Sequence, residues 1–205
     1  MHRFNRVLSS VHGAVLVALL SLTIPVAAQA NGEKLSNIKN FGRVNETYYR
    51  GAQPEGRDYA DLATMGVKTV INLTSGDAQA NEQSMVESAG MKYHQIPMTT
   101  HEPPTTAKLA EFMKIVNDPA SQPVYVHCVA GKHRTGVMTA VYRMTHGWTA
   151  DQAFKEMKQY KFGADFLHSE FKRFVYNYYK QLDSIRTATV EAGSTTTAAE
   201  PVIAH

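Results

Sequence analysis

One cysteine and one arginine decide what chemistry this chain can do. Cys128 is the only cysteine in 205 residues and sits in the run Val126-His127-Cys128-Val129-Ala130-Gly131-Lys132-His133-Arg134-Thr135-Gly136. The apolar segment Pro123 to His127 enters the run as a strand, and a helix-like stretch leaves it. Between Cys128 and Arg134 the backbone can curl so that successive N–H groups face one bowl. A helix starting near Thr135 then adds the positive end of its dipole. Gly131 relieves the steric cost of the curl. Arg134 can offer two parallel donors to two oxygens of a tetrahedral dianion. The same field favours the thiolate form of Cys128, a nucleophile able to attack phosphorus in line. Thr135 is placed to hydrogen-bond the sulfur as it leaves, and His127 is expected to order the loop rather than exchange protons.

The elements that must hold this loop follow from periodicity and punctuation. Strands are expected at Thr47–Arg50, Val67–Leu73, Met91–Ile96 and Pro123–His127. Helices are expected at Asp58–Met65, Gln79–Ala89, Ala107–Asn117, Thr135–His146, from the capping pattern Thr149-Ala150-Asp151-Gln152 to Tyr160, and Leu167–Ile185. Alternation of strand and helix predicts a single α/β domain with a central, mostly parallel sheet flanked by helices. In such sheets ligands bind beyond the carboxyl ends of the strands, where Cys128 falls.

Bulk properties set the limits. Hydrophobic content of 43% and charged content of 19% fit a globular domain. Met1 to Ala30 carries Arg3 and Arg6, an apolar core and the ending Ala28-Gln29-Ala30, and is expected to be a signal peptide. Its removal leaves no expected membrane span and predicts export, to a periplasm or the medium. Asn31–His127 holds 9 basic and 11 acidic side chains, and Cys128–Arg186 holds 10 and 5. The basic half carries the loop, as an anionic substrate requires. No basic run with interleaved aromatics points to nucleic acid. No ligand spacing points to a metal, and no cofactor is expected. Residues 186–205, rich in Thr and Ala without periodicity, are expected to be a disordered tail.

The His-Cys-x5-Arg-Thr-Gly string resembles the signature of the cysteine-dependent protein tyrosine and dual-specificity phosphatases. Gly131-Lys132-His133-Arg134-Thr135-Gly136 is most similar to the atypical plant and fungal type and its bacterial relatives. Tyr49-Arg50-Gly51-Ala52-Gln53-Pro54, Gly66 to Leu73, and Ile96-Pro97 extend the resemblance over about Phe41 to Tyr179, within an expected phosphatase domain at 31–185. The resemblance implies a nucleophile at Cys128, transition-state binding by Arg134, and backbone N–H contacts from Val129, Ala130, Gly131, Lys132, His133 and Arg134. It also implies that Lys132 and His133 add positive charge at the rim, as in branches that act on highly phosphorylated lipids and inositols.

The family supplies an aspartic acid about thirty residues before the cysteine to protonate the leaving oxygen, and the window Tyr93 to Pro104 contains none. Glu102, its only carboxyl group, is the first candidate; His101 and Asp77 are the others, and the acid can also be absent. The expected partner is a phosphorylated protein or a small anionic phosphoester. A phosphotyrosine-type phosphatase, an inositol-phosphate or phosphoinositide phosphatase and a non-catalytic phosphate binder remain open. The Arg-Thr-Gly ending suits phosphate better than the persulfide of a sulfurtransferase.

Overall fold

In β5 (Val124–His127), Val124 and Val126 point to one side and Tyr125 and His127 to the other, all fully buried. In β3 (Thr69–Asn72), Val70 and Ile71 likewise divide between the two faces. Burial on both faces is the signature of interior parallel strands. The computed structural model describes residues 37–163 and 168–195; the expected leader, 1–30, and the last ten residues of the expected tail lie outside them. The sheet order is β1-β2-β5-β3-β4, with β1 at Gly42–Asn45, β2 at Tyr48–Gly51 and β4 at Lys92–Gln95. Pairing is parallel throughout except between β1 and β2, which run antiparallel. The mostly parallel sheet is as expected, and β5 occupies its centre. The edge strand β1 has no clear period and was not anticipated.

The helices are α1 (Asp58–Thr64), α2 (Glu82–Ser88), α3 (Thr106–Val116), α4 (His133–Thr145), α5 (Ala150–Gln159) and α6 (Ser169–Thr195). Phe112, Ile115 and Val116 of α3 pack with Met138 and Tyr142 of α4 on the sheet face that carries Ile71, Val124 and Val126. Tyr59 and Leu62 of α1 and Val86 of α2 cover the opposite face at Val70 and Tyr125. The outer side of α4 meets α5 and α6 through Val137, Ala140, Phe154, Phe171 and Val175. Helix α4 is therefore buried nearly all round, which fixes its N-terminus near the carboxyl end of the central strand β5. The capping box at Thr149 and Gln152 opens α5 as its sequence requires.

Two boundaries differ from expectation. Helix α4 begins at His133, two residues early, so Arg134 lies in its first turn. Helix α6 runs to Thr195, past the end expected near Ile185 and into the segment expected to be disordered. The Thr/Ala run has no apolar stripe, but a nucleated helix extends at little cost through alanine. Thr187 and Thr189 return their hydroxyls to the carbonyls of Asp183 and Ile185. Arg186 also donates to the Met144 carbonyl at 2.7 Å, tying α6 to the last turn of α4.

Candidate active site

The chain leaves β5 at His127 and enters α4 at His133, and the five residues between form a closed loop. Gly131 has φ +64, and a Cβ there would strike the carbonyl carbon and oxygen of Gly51. Only glycine fits both the left-handed backbone and this close approach. Gly131→Ala is expected to cost about 3 kcal/mol, seen as a lower urea midpoint at unchanged slope.

The loop's carbonyls are turned outward and held there. The Gly131 carbonyl accepts from Asn40 Nδ2 and from Arg50 Nη2, each at 2.8 Å. The Val129 carbonyl accepts from the Gln53 backbone N–H at 3.2 Å. With these oxygens engaged on the outer side, the loop N–H groups are free to face an anion. Asn40, Arg50 and Gln53 escaped the sequence reading as site residues. Arg50 and Gln53 lay inside a matching string, and their types alone gave no hint of a role in the loop.

Cys128 is 3% exposed. Burial by itself pushes its thiol up, but the Thr135 hydroxyl and amide, the Arg134 charge and the Lys132 amide outweigh it and leave the pKa below the ordinary value. Thr135 is fully buried, and its hydroxyl has no hydrogen-bond partner among the described residues. The hydroxyl is among the groups that lower the pKa of the Cys128 thiol.

Arg134 presents its two terminal nitrogens side by side, and a carboxylate already occupies them. Nη1 and Nη2 bond the Asp77 oxygens at 2.9 and 2.6 Å, and Nη1 also reaches the Met98 carbonyl at 3.1 Å. The Arg134 hydrogen bonds draw the Asp77 carboxyl down to about 2 against a smaller opposing effect of burial, so it is ionised at neutral pH. Of the three acid candidates, Asp77 is the one the fold brings onto Arg134. Glu102 is exposed in the β4–α3 loop, and its carboxylate makes no hydrogen bond or ion pair among the described residues; only its backbone N–H is engaged, by Thr99 Oγ1. His101 is also exposed and lies near His168. The chain separation that favoured Glu102 and His101 does not capture the β3–α2 loop folding back over the bowl.

His133 differs from expectation as well. Its ring packs 3.7 Å from His168 and edge-on to Phe162. Burial first, then the neighbouring His168, lowers its pKa to about 4. It is neutral at neutral pH, so the rim charge comes from Lys132 and not from His133.

Behind the loop is a buried polar cluster that sequence reasoning missed. Glu82, 0% exposed, accepts from Gln53 Nε2 at 2.6 Å, from the Tyr59 hydroxyl at 3.2 Å and from Asn72 Nδ2. His127 Nε2 approaches it to 2.9 Å, but off the axis of a good hydrogen bond. His127 thus lies against Glu82, on the face that also carries Asn72. A glutamate in the first turn of an amphipathic helix reads as solvated, so its pattern gave no warning.

Beside the loop, a cavity of about 490 Å³ is lined by Lys39, Lys132 and Lys161 together with Glu55 and Asp58. Among the described residues no group of His, Cys, Asp and Glu is arranged to hold a metal ion, and no helix is long and apolar enough to cross a membrane.

The chain is similar to known proteins. A probable tyrosine-protein phosphatase of Dictyostelium discoideum, DG1060, is 28% identical over 125 residues, 59% of this chain and 75% of that protein. The inositol diphosphatase SIW14 of Saccharomyces cerevisiae is 26% identical over 129 residues, 60% of this chain but 46% of its own length. The chain thus spans under half of the yeast relative. The crystal structure of Pseudomonas aeruginosa TpbA bound to phosphotyrosine superposes with a TM-score of 0.56 at 26% identity, covering 66% of this chain and 82% of that one. Residues 25–174 match the family described as a DSP-PTPase phosphatase fused to NAD+ kinase. This chain, with its loop at Cys128–Arg134, belongs to that family of tyrosine and dual-specificity phosphatases.

Proposed function

We propose that this chain hydrolyses phosphate monoesters of the phosphotyrosine type through a cysteinyl-phosphate. The observation that carries the reading is the Arg134 fork beside a Cys128 thiol of lowered pKa, already holding the two oxygens of a planar anion. A phosphoryl group entering the bowl takes the place of Asp77 on Arg134. The thiolate attacks phosphorus, the phosphorus–oxygen ester bond breaks, and the leaving oxygen takes a proton. Water then attacks the cysteinyl-phosphate, the phosphorus–sulfur bond breaks, and the thiolate returns, held by the Thr135 hydroxyl. Loop N–H groups from Val129 to Arg134 carry the equatorial charge.

Asp77 is the candidate to supply the proton. Paired with Arg134 it is ionised and useless as an acid. Displaced by the phosphoryl dianion, it loses its main stabilising partner and gains a like charge, and both raise its pKa. Asp77→Asn separates its two roles. Inorganic vanadate is expected to bind about 5-fold more tightly, a small effect because Asp77 is 43% exposed. Turnover of an alkyl phosphate is expected to fall about 10²-fold while that of an aryl phosphate, whose leaving group needs no proton, barely changes. Equal losses on both substrates would remove Asp77 from proton transfer, and Glu102→Gln then tests the remaining carboxylate.

A second reading, an inositol diphosphatase, is favoured by the cavity with Lys39, Lys132 and Lys161 beside the loop and by the similarity to SIW14. Phosphoanhydrides also depart without an acid. Steady-state kinetics on a phosphotyrosine peptide, a phosphoserine peptide and an inositol diphosphate distinguish the two: a preference for the peptide ester supports the first reading, and a higher kcat/KM on the anhydride supports the second. Export rests on residues 1–30 and is checked by N-terminal sequencing of protein recovered outside the cytoplasm.

A further inference from the structure

Arg50 is the largest fully buried side chain in the domain, and it has no acid of its own. It lies on β2 beside β5, in register with Val126. One nitrogen, Nη2, bonds the Gly131 carbonyl; Nε and Nη1 are buried with no hydrogen-bond partner. The guanidinium carbon sits 4.0 Å over the Tyr160 ring, which closes the site from α5. Among the described residues no carboxylate comes within ion-pair distance of it. Arginine stays protonated when buried, so this is an uncompensated internal charge, normally costly enough to be selected against.

The groups facing Arg50 narrow what it can be for. Tyr48, on its own strand, is neutral, its hydroxyl pushed up by burial. Glu156 on α5 acts on Arg50 only at a distance and is paired with Arg143 at 2.7 Å. Tyr160 offers its ring. The remaining acidic group that acts on Arg50 is the Cys128 thiol. Around Cys128 the other groups are Arg134 and Thr135 from α4, the backbone of Lys132, the buried neutral Tyr125 hydroxyl, and His127 backed by Glu82. Arg134 acts on the sulfur even while paired with Asp77, and Arg50 is a second buried cation, without an acid of its own, that acts on it from the other side of the loop.

We propose that Arg50 is a positioning residue which, from beneath the phosphate loop, holds the Gly131 carbonyl outward and adds a fixed positive charge to that of Arg134 in favouring the thiolate of Cys128. The division of labour follows from geometry. Arg134 is at the mouth and exchanges partners between Asp77 and the phosphoryl group. Arg50 is sealed and cannot exchange. The inference rests on Cys128 as the nucleophile, but its test needs no turnover.

The experiment is the pH dependence of Cys128 alkylation by iodoacetamide, with the wild-type chain, Arg50→Gln and Arg50→Lys, folding being checked by circular dichroism. In Arg50→Gln, which keeps a donor for Gly131 but no charge, the thiol pKa is expected to rise by about one unit or more. Arg50→Lys is expected to restore most of that shift. An unmoved profile in Arg50→Gln overturns the proposal, and so does an equal rise in Arg50→Lys, which would assign the effect to loop shape. Should Arg50→Gln not fold, Tyr160→Leu opens the guanidinium to water, and an unmoved profile in that variant also overturns it. Alkylation reads Cys128 ionisation whether or not the chain proves to be a phosphatase, so the two readings fail separately.

Discussion

Cys128→Ser is expected to lower kcat/KM on p-nitrophenyl phosphate by about 10⁴-fold or more, the scale of removing a covalent nucleophile. The change swaps one atom in a buried site, and the fold should be untouched. The serine hydroxyl gains nothing from the bowl. The Thr135 and Arg134 contacts that hold the Cys128 thiol below its ordinary pKa act on a group that ionises several units lower than an alcohol does. Phosphate affinity should survive, because the loop N–H groups and Arg134 remain, so the variant is expected to trap a phosphotyrosine peptide without turning it over. Residual activity within about tenfold of the wild type would reject the covalent mechanism. An inactive wild type with intact phosphate binding would instead identify a binder.

Arg134→Lys is expected to lower kcat about 10³-fold, because lysine offers a point charge where the site uses two parallel donors. The lost pair is visible in the structure, where Nη1 and Nη2 meet separate oxygens of Asp77. Loss concentrated in kcat marks an interaction made in the transition state, and loss confined to KM would mean that Arg134 only gathers substrate. A second reading comes from Asp77. With the fork gone its carboxyl returns toward the ordinary carboxylate range, and because Asp77 must be protonated to act, the falling alkaline limb of the kcat/KM–pH profile should move up with it.

The sheet and the loop were legible because local pattern and global fold agree. The apolar half of β3, the run entering Cys128 and the Thr149 capping box each carry their own signal. Phe171 and Val175 were readable as the buried stripe of α6 for the same reason. The misses share one cause, which is long-range contact between residues whose types are ordinary. Asp77 reads as the last of three acid candidates until the β3–α2 connection places it on Arg134. Glu82 reads as a solvated first-turn glutamate until the sheet places Asn72 and His127 against it. His133 reads as rim charge until His168 and Phe162 bury it. Helix α6 continues past Ile185 because alanine and threonine permit it, not because an apolar face demands it.

The outward carbonyl of Gly131 has a consequence for how the site comes into being. Its two donors stand 91 and 81 residues earlier in the chain, so no segment around Cys128 can hold the loop in its bowl. Loop closure over such distances is achieved late, with the sheet. The Cys128 thiol should therefore take on ordinary reactivity only on global unfolding, with the β5 core, and not as a surface loop opens. Nascent chains ending before β5 can hold neither half of the site, and chains lacking the first strands should carry a cysteine of ordinary reactivity.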